Sequence, residues 1–155
     1  MSNTNVIRLL EAAGISFTVR EYPVDESDLS AKHAAKLLGI EADRVFKTIV
    51  LIGERTGPLV TVVPGSCEVD LKKAARAAGD KSVSPLPLAS LEALTGYVRG
   101  GCSPLGMKKM LPTFIDETAL VFDTISVSAG RRGLQVLLLP LDLATMAGAL
   151  FSDLI

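Results

Sequence analysis

The chain has 155 residues, of which 48% are apolar and 21% charged, and its formal net charge is −1. That length and apolar share suit one domain over residues 1–155 with a genuine core. The charge balance excludes a strongly basic nucleic-acid binder that holds its partner by bulk electrostatics, but not a small basic site on a neutral body.

The first fourteen residues, MSNTNVIRLLEAAG, hold only Val6, Ile7, Leu9 and Leu10 as strong apolar residues before Glu11. No signal-peptide core fits there. Asn3 or Thr4 caps a first helix with Val6, Leu9, Leu10 and Ala13 on its inner face, and Gly14 ends it. ISFTVREY alternates as a strand does, and PVDESD is an acidic turn. SAKHAAKLLG reads as a short helix closed by Gly39. RVFKTIVLIG is apolar on both parities, the pattern of a central strand, and PLVTVVPG follows at hairpin distance across GERTG. EVDLKKAARAAG is a helix with Leu71, Ala74, Ala75 and Ala78 facing in. After a Pro-rich connector, LASLEALTG is a further helix. Four strands are expected next, in TFIDE, ALVF, ISVSAG and LQVLLLP. PLDLATMAGAL closes the chain as a helix with Pro140 near its start. Consecutive strands interspersed with helices predict a mixed α/β fold, with a largely antiparallel sheet surrounded by helices, rather than a doubly wound parallel one.

Cys67 and Cys102 are too few for a disulfide framework, and no Cys/His cluster points to a metal. No apolar run reaches the ~18 residues that a membrane span needs. A reduced, cytoplasmic protein without metal or cofactor is the expectation.

Lys47 is the sharpest oddity. Counting by two, it shares a strand face with Val45, Ile49 and Leu51, where an ammonium costs several kcal/mol unless it finds a partner or a cavity. Either it snorkels from the strand end, or it sits at the floor of a pocket that takes an anion or a polarised carbonyl. Gly100 and Gly101 stand before Cys102 and Ser103, with Arg99, Lys108 and Lys109 near and no acid between them. Paired glycines let amide groups approach a ligand, although an isolated Gly-Gly is ordinarily a tight turn. SAGRRGL, with Ser128, Arg131, Arg132 and Gly133, is a second loop of small residues and cations. A protein nucleophile finds little support. The single histidine, His33, is expected on a solvated helix position, and Cys102 reads as a small half-buried residue. Asp116 and Glu117 are adjacent on an expected strand and so point to opposite faces.

RVFKTIVL, VPGSCEVDLKKAARAAG, TGYVRGGCSPLGMKKMLPTFIDE and ISVSAGRRGLQVLL occur in this order. Together they resemble the YbaK/EbsC family of free-standing aminoacyl-tRNA deacylases, relatives of the insertion domain of bacterial prolyl-tRNA synthetase. The FKT tripeptide and the GGxSPLG loop carry most of the likeness, which runs from the first helix to the last. The resemblance implies a mixed sheet curved towards a barrel, and removal of a wrong amino acid, typically cysteine, from tRNA for proline or for cysteine. It assigns Lys47, Gly100 and Gly101 to the reacting end. It assigns Tyr22, Leu29, Phe46, Thr48, Ser103, Pro104, Ser128 and Gln135 to substrate binding, and Arg99, Lys108, Lys109, Arg131 and Arg132 to tRNA. In the cysteine-specific branch the substrate's own thiol is held to attack its ester, which requires no protein nucleophile. Leu29 stands where that branch often has an aromatic residue, and Gln135 where an acid is common. Another small amino acid such as alanine is therefore an alternative substrate, and a non-catalytic module for the acceptor end or a synthetase is an alternative class. A transient complex with prolyl- or cysteinyl-tRNA synthetase is the expected partnership.

Overall fold

The computed structural model describes residues 3–155. Its helices are α1 (Asn5–Ala12), α2 (Ala31–Leu38), α3 (Leu71–Ala78), α4 (Leu88–Thr95) and α5 (Pro140–Ala147). Its strands are β1 (Phe17–Glu21), β2 (Phe46–Gly53), β3 (Gly57–Pro64), β4 (Val83–Pro85), β5 (Thr113–Asp116), β6 (Ile125–Ser128), β7 (Leu134–Leu138) and β8 (Leu150–Ser152). They form a three-stranded sheet ordered β1-β7-β6 and a five-stranded sheet ordered β4-β2-β3-β5-β8. Pairing is antiparallel except where β5 runs parallel to β3 and β8 parallel to β5. The two sheets touch at a parallel bridge between Val45 and Ser126. The mixed, largely antiparallel fold is the expected one, divided into two sheets.

Local signals explain most elements. Thr4, Ser30 and Asp70 each turn a side-chain oxygen onto a first-turn N–H of α1, α2 and α3. Pro140 starts α5, where its missing N–H costs nothing. The two-parity pattern of β2 has a direct cause, because both faces of the five-stranded sheet are covered. Phe46, Val50, Val60, Val62 and Ile115 face a large core shared with β6, β7, α1 and α5. Leu51, Leu59, Val63 and Phe114 face a smaller core under α3.

Four local expectations are corrected. Leu9 and Ala13 of the first helix are exposed, and Ile7 joins Val6 and Leu10 inside instead. Leu71 is exposed at the start of α3, leaving Ala74 and Ala75 as the buried face. ALVF belongs to a 3₁₀ turn, Glu117–Val121, not a strand, because the buried Asp116 carboxylate accepts from the Thr118 N–H and hydroxyl and winds the chain there. The Pro-rich connector holds a short strand, β4, at the sheet edge, where Pro85 sacrifices no essential donor.

Candidate functional site

A cleft of about 550 Å³ opens where β2 leaves the bridge to β6 and before β4 joins it at Leu51. Its walls come from the start of α2, the loop from Arg99 to Cys102, the β4–α4 connection, and Ser128 and Gln135 of the smaller sheet. Phe46, Lys47, Thr48, Ile49 and Val50 all line it, residues of both parities. That is possible only where the strand meets the cleft edge-on.

Lys47 leaves the strand on the α3 side and places its ammonium 3.3 Å from the Glu68 carboxylate, its side chain 22% exposed. It sits at the strand's beginning and lines the cleft. The Oγ1 of the following residue, Thr48, is buried and, among the described residues, has no hydrogen-bond partner. A buried hydroxyl left without a partner costs on the order of 1–3 kcal/mol, and in a cleft wall it marks a place where a ligand completes the bonding. On the opposite wall, Gln135 accepts through Oε1 from the Ser126 hydroxyl at 2.8 Å, so the donor end of its amide is the one left over. Ser128 Oγ is already engaged, accepting from the Gly130 N–H at 3.2 Å.

The glycine pair divides its work. Gly100 lines the cleft with φ +86, a backbone that other residues rarely adopt. Gly101 does not line it. A Cβ there would meet Arg132 N at 2.9 Å and Arg131 Cα at 3.0 Å, so this glycine lets the two small-residue loops pack backbone to backbone. Arg132 adds a 2.8 Å hydrogen bond from Nε to Arg99 O, which locks the loops together. Ser103 is fully buried and its hydroxyl accepts from Leu105 N–H; it caps a turn behind the wall.

The remaining expected residues separate into two places. Tyr22, Leu29, Phe46, Thr48, Ser128, Gln135 and Arg99 surround the cleft with Lys47 and Gly100. Arg131 and Arg132 stand next to it, near Glu21 (3.7 Å) and Glu26 (4.0 Å) respectively. Pro104 and Lys109 line a second, smaller cleft of about 270 Å³ with Met107 and Met110, and Lys108 lies over Gly96 with Nζ 3.4 Å from Ala93 O. Neither lysine lines the main cleft. Sequence reasoning missed Lys32, Glu68 and the apolar wall of Leu86, Leu88 and Leu91. Glu68 had a signal, as the first charge after the uncharged run from Gly57 to Cys67.

The protein's own candidate nucleophile is disarmed. Cys102 is buried at the back of the cleft, and burial pushes its thiol up to about 11. At neutral pH that leaves on the order of one thiolate in ten thousand. His33, half-buried and not solvated as expected, lies 3.7 Å from Asp28 and does not line the cleft. What lines the cleft is an unpartnered hydroxyl, an amide donor and three cations (Lys32, Lys47 and Arg99) against one carboxylate. Its charge and donors suit an anionic, polar ligand, and among the described residues it contains no nucleophile–base pair.

Comparison with known proteins gives the family. The profile of the aminoacyl-tRNA editing domain matches residues 26–146. A protein of Enterococcus faecalis named EbsC, proposed to be a Cys-tRNA(Pro)/Cys-tRNA(Cys) deacylase, is 46% identical over 151 residues, covering 97% of this chain and 92% of its own. The crystal structure of a protein proposed as a trans-editing enzyme for prolyl-tRNA synthetase superposes with a TM-score of 0.83 at 30% identity, covering 99% of this chain and 98% of that one. The hypothetical protein APE2540 shares the fold, with a TM-score of 0.88 at 22% identity over 97% of this chain and 99% of its own.

Proposed function

The chain belongs to the aminoacyl-tRNA editing domain family, and from that membership and the cleft we propose that it is a trans-editing deacylase that clears cysteine from tRNA for proline, and from tRNA for cysteine. The observation that carries the reading is that the Lys47 ammonium and the unpartnered Thr48 hydroxyl line one cleft in which the Cys102 thiol is not activated.

In this reading the cleft supplies geometry and charge, and the substrate supplies the attacking atom. The cysteinyl thiol loses its proton and its sulfur attacks the ester carbonyl carbon. The C–S bond forms, the bond from carbon to the tRNA 3′ oxygen breaks, and that oxygen leaves with a proton while the amino acid departs as a thiolactone. Lys47 faces the ester or its nearest phosphate, where an ammonium favours the developing negative charge. Thr48 and Gln135 hold the polar parts of the aminoacyl group, and Gly100 brings bare backbone to the same wall. Tyr22, Leu29, Phe46 and Ser128 shape the pocket. Lys32 and Arg99 at the mouth, with Arg131 and Arg132 adjacent, receive the tRNA backbone. A small set of cations favours delivery of the tRNA by a synthetase, and prolyl- or cysteinyl-tRNA synthetase is the partner we propose.

The test is a deacylation panel: tRNA for proline carrying cysteine, alanine or serine, and tRNA for cysteine carrying cysteine. Cysteine is expected to leave fastest. Faster loss of alanine would move the specificity to the small-residue alternative. No turnover above the enzyme-free rate on any substrate would replace the deacylase with a binding module.

A further inference from the structure

Ser126 stands behind the cleft wall and touches its chemistry through one bond. In the β6–β7 ladder Ser126 lies opposite Leu137 and Ser128 opposite Gln135, so Ser126, Ser128 and Gln135 project from one face of the smaller sheet. Ser128 and Gln135 line the cleft, whereas Ser126 does not and is fully buried. The Ser126 hydroxyl donates to Gln135 Oε1 at 2.8 Å. Turned over, the amide would offer its NH2 to Ser126 instead. The serine's own O–H proton would then be left buried without an acceptor, because Oε1 is the one it has among the described residues. The observed orientation orphans nothing. Among the described residues Thr48 Oγ1 is the one buried side-chain nitrogen or oxygen without a partner, so Gln135 Nε2 is not sealed in the core but open to the cleft.

We propose that Ser126 is a positioning residue for the deacylation: it holds Gln135 so that the amide NH2 donates to the carbonyl oxygen of the aminoacyl ester. The proposal rests on the deacylase reading for its ligand. The choice of atom follows from what an NH2 group can meet. It only donates, so the substrate's α-ammonium finds no acceptor there. The ester carbonyl oxygen accepts, and it gains negative charge as sulfur adds to the carbon. The attacking sulfur accepts too, but it gives up its charge in that step, and a donor on it would slow the attack. Gln135 is 5% exposed and held from behind, so its donor is set in place before the substrate arrives. A bond that strengthens as the charge develops acts on kcat more than on KM.

Two measurements test this. In the ¹⁵N-labelled wild-type protein without ligand, the Gln135 side-chain NH2 protons are expected to exchange freely with water. Protected protons, as they would be if bonded to Ser126, overturn the proposal. The second measurement is a kinetic double-mutant cycle on cysteinyl-tRNA for proline, with Ser126→Ala, Gln135→Ala and the pair. Each single change is expected to lower kcat roughly three- to tenfold, the worth of one hydrogen bond, with KM little changed. On top of Gln135→Ala, Ser126→Ala should cost nothing more, because its effect passes through the amide. A serine needed only for the fold would cost as much in either background, and that result overturns the proposal. Full activity of Ser126→Ala, or a loss confined to KM, does so too. If Ser126→Ala does not fold, Ser126→Cys, a weak donor of similar size, takes its place in the cycle. The exchange measurement needs no turnover. A freely exchanging amide in a protein that deacylates nothing refutes the deacylase reading and leaves the Ser126–Gln135 pairing standing; an active enzyme without the coupling refutes the positioning role alone.

Discussion

Lys47 holds its ammonium 3.3 Å from a Glu68 side chain that is 92% exposed. So exposed a carboxylate holds its partner weakly, and an incoming ester or phosphate displaces it at little cost. In the proposed reading, Lys47→Ala removes a contact that the substrate needs and the fold does not. It forfeits a charge-assisted bond of ~1.5–3 kcal/mol, so turnover should fall roughly tenfold or more while the melting temperature stays put. A shifted melting temperature with unchanged turnover would mark a structural lysine. Gly101→Ala belongs to the other class. Its added methyl meets the backbone of Arg131 and Arg132, which cannot swing away, so the loops must separate at a cost of ~1–3 kcal/mol. Thermal unfolding is expected to show that loss before any substrate is added. The resemblance assigns Gly101 to the reacting end; in the structure it packs between two loops about thirty residues apart, which no local pattern reveals.

Among the elements, the β2–β3 hairpin is fastened to the end of α3 by Asp80. Its carboxylate accepts from Thr56 N–H (2.9 Å), the Thr56 hydroxyl (2.7 Å) and Arg55 N–H (3.1 Å). These bonds, those of Thr56 foremost, hold its pKa well below the ordinary 3.8. A carboxylate depressed in the folded state contributes stability above its unfolded pKa and loses it as the pH falls through the folded value. Asp80→Asn should therefore lower the melting temperature most near neutral pH, and the gap from wild type should narrow below pH 3.8. A gap independent of pH would mean that the carboxylate's charge is irrelevant. The element order was largely legible, because caps such as Ser30 and Asp70 and the two-parity run of β2 act locally. What was not legible depends on distant partners. β4 exists because β2 offers it an edge, ALVF winds because Asp116 captures Thr118, and Leu150–Ser152 is a strand because β5 lies beside it. The cleft followed the same rule. Lys47 and Gly100 were visible as anomalies, whereas the apolar wall of Leu86, Leu88 and Leu91 looks like any helix start.

At the scale of the whole molecule, a formal net charge of −1 provides no general attraction for RNA. The cations lining the cleft are Lys32, Lys47 and Arg99, and those beside it already face Glu21 and Glu26. About three phosphates neutralised corresponds to a salt slope on the order of −2 to −3 for tRNA binding. Affinity measured across a salt series checks this, and a slope steeper than about −6 would mean that the basic surface extends well beyond the cleft.

The central claim is that the cleft removes cysteine from tRNA for proline without a nucleophile of its own. The most direct measurement compares cysteinyl- and prolyl-tRNA for proline side by side, with the wild-type protein and with a cysteine-free variant, Cys67→Ala and Cys102→Ala together. We predict that the cysteinyl ester is lost far above the enzyme-free rate with both proteins while the prolyl ester survives. Equal loss of the two esters, loss of neither, or turnover that disappears in the folded cysteine-free variant would contradict it.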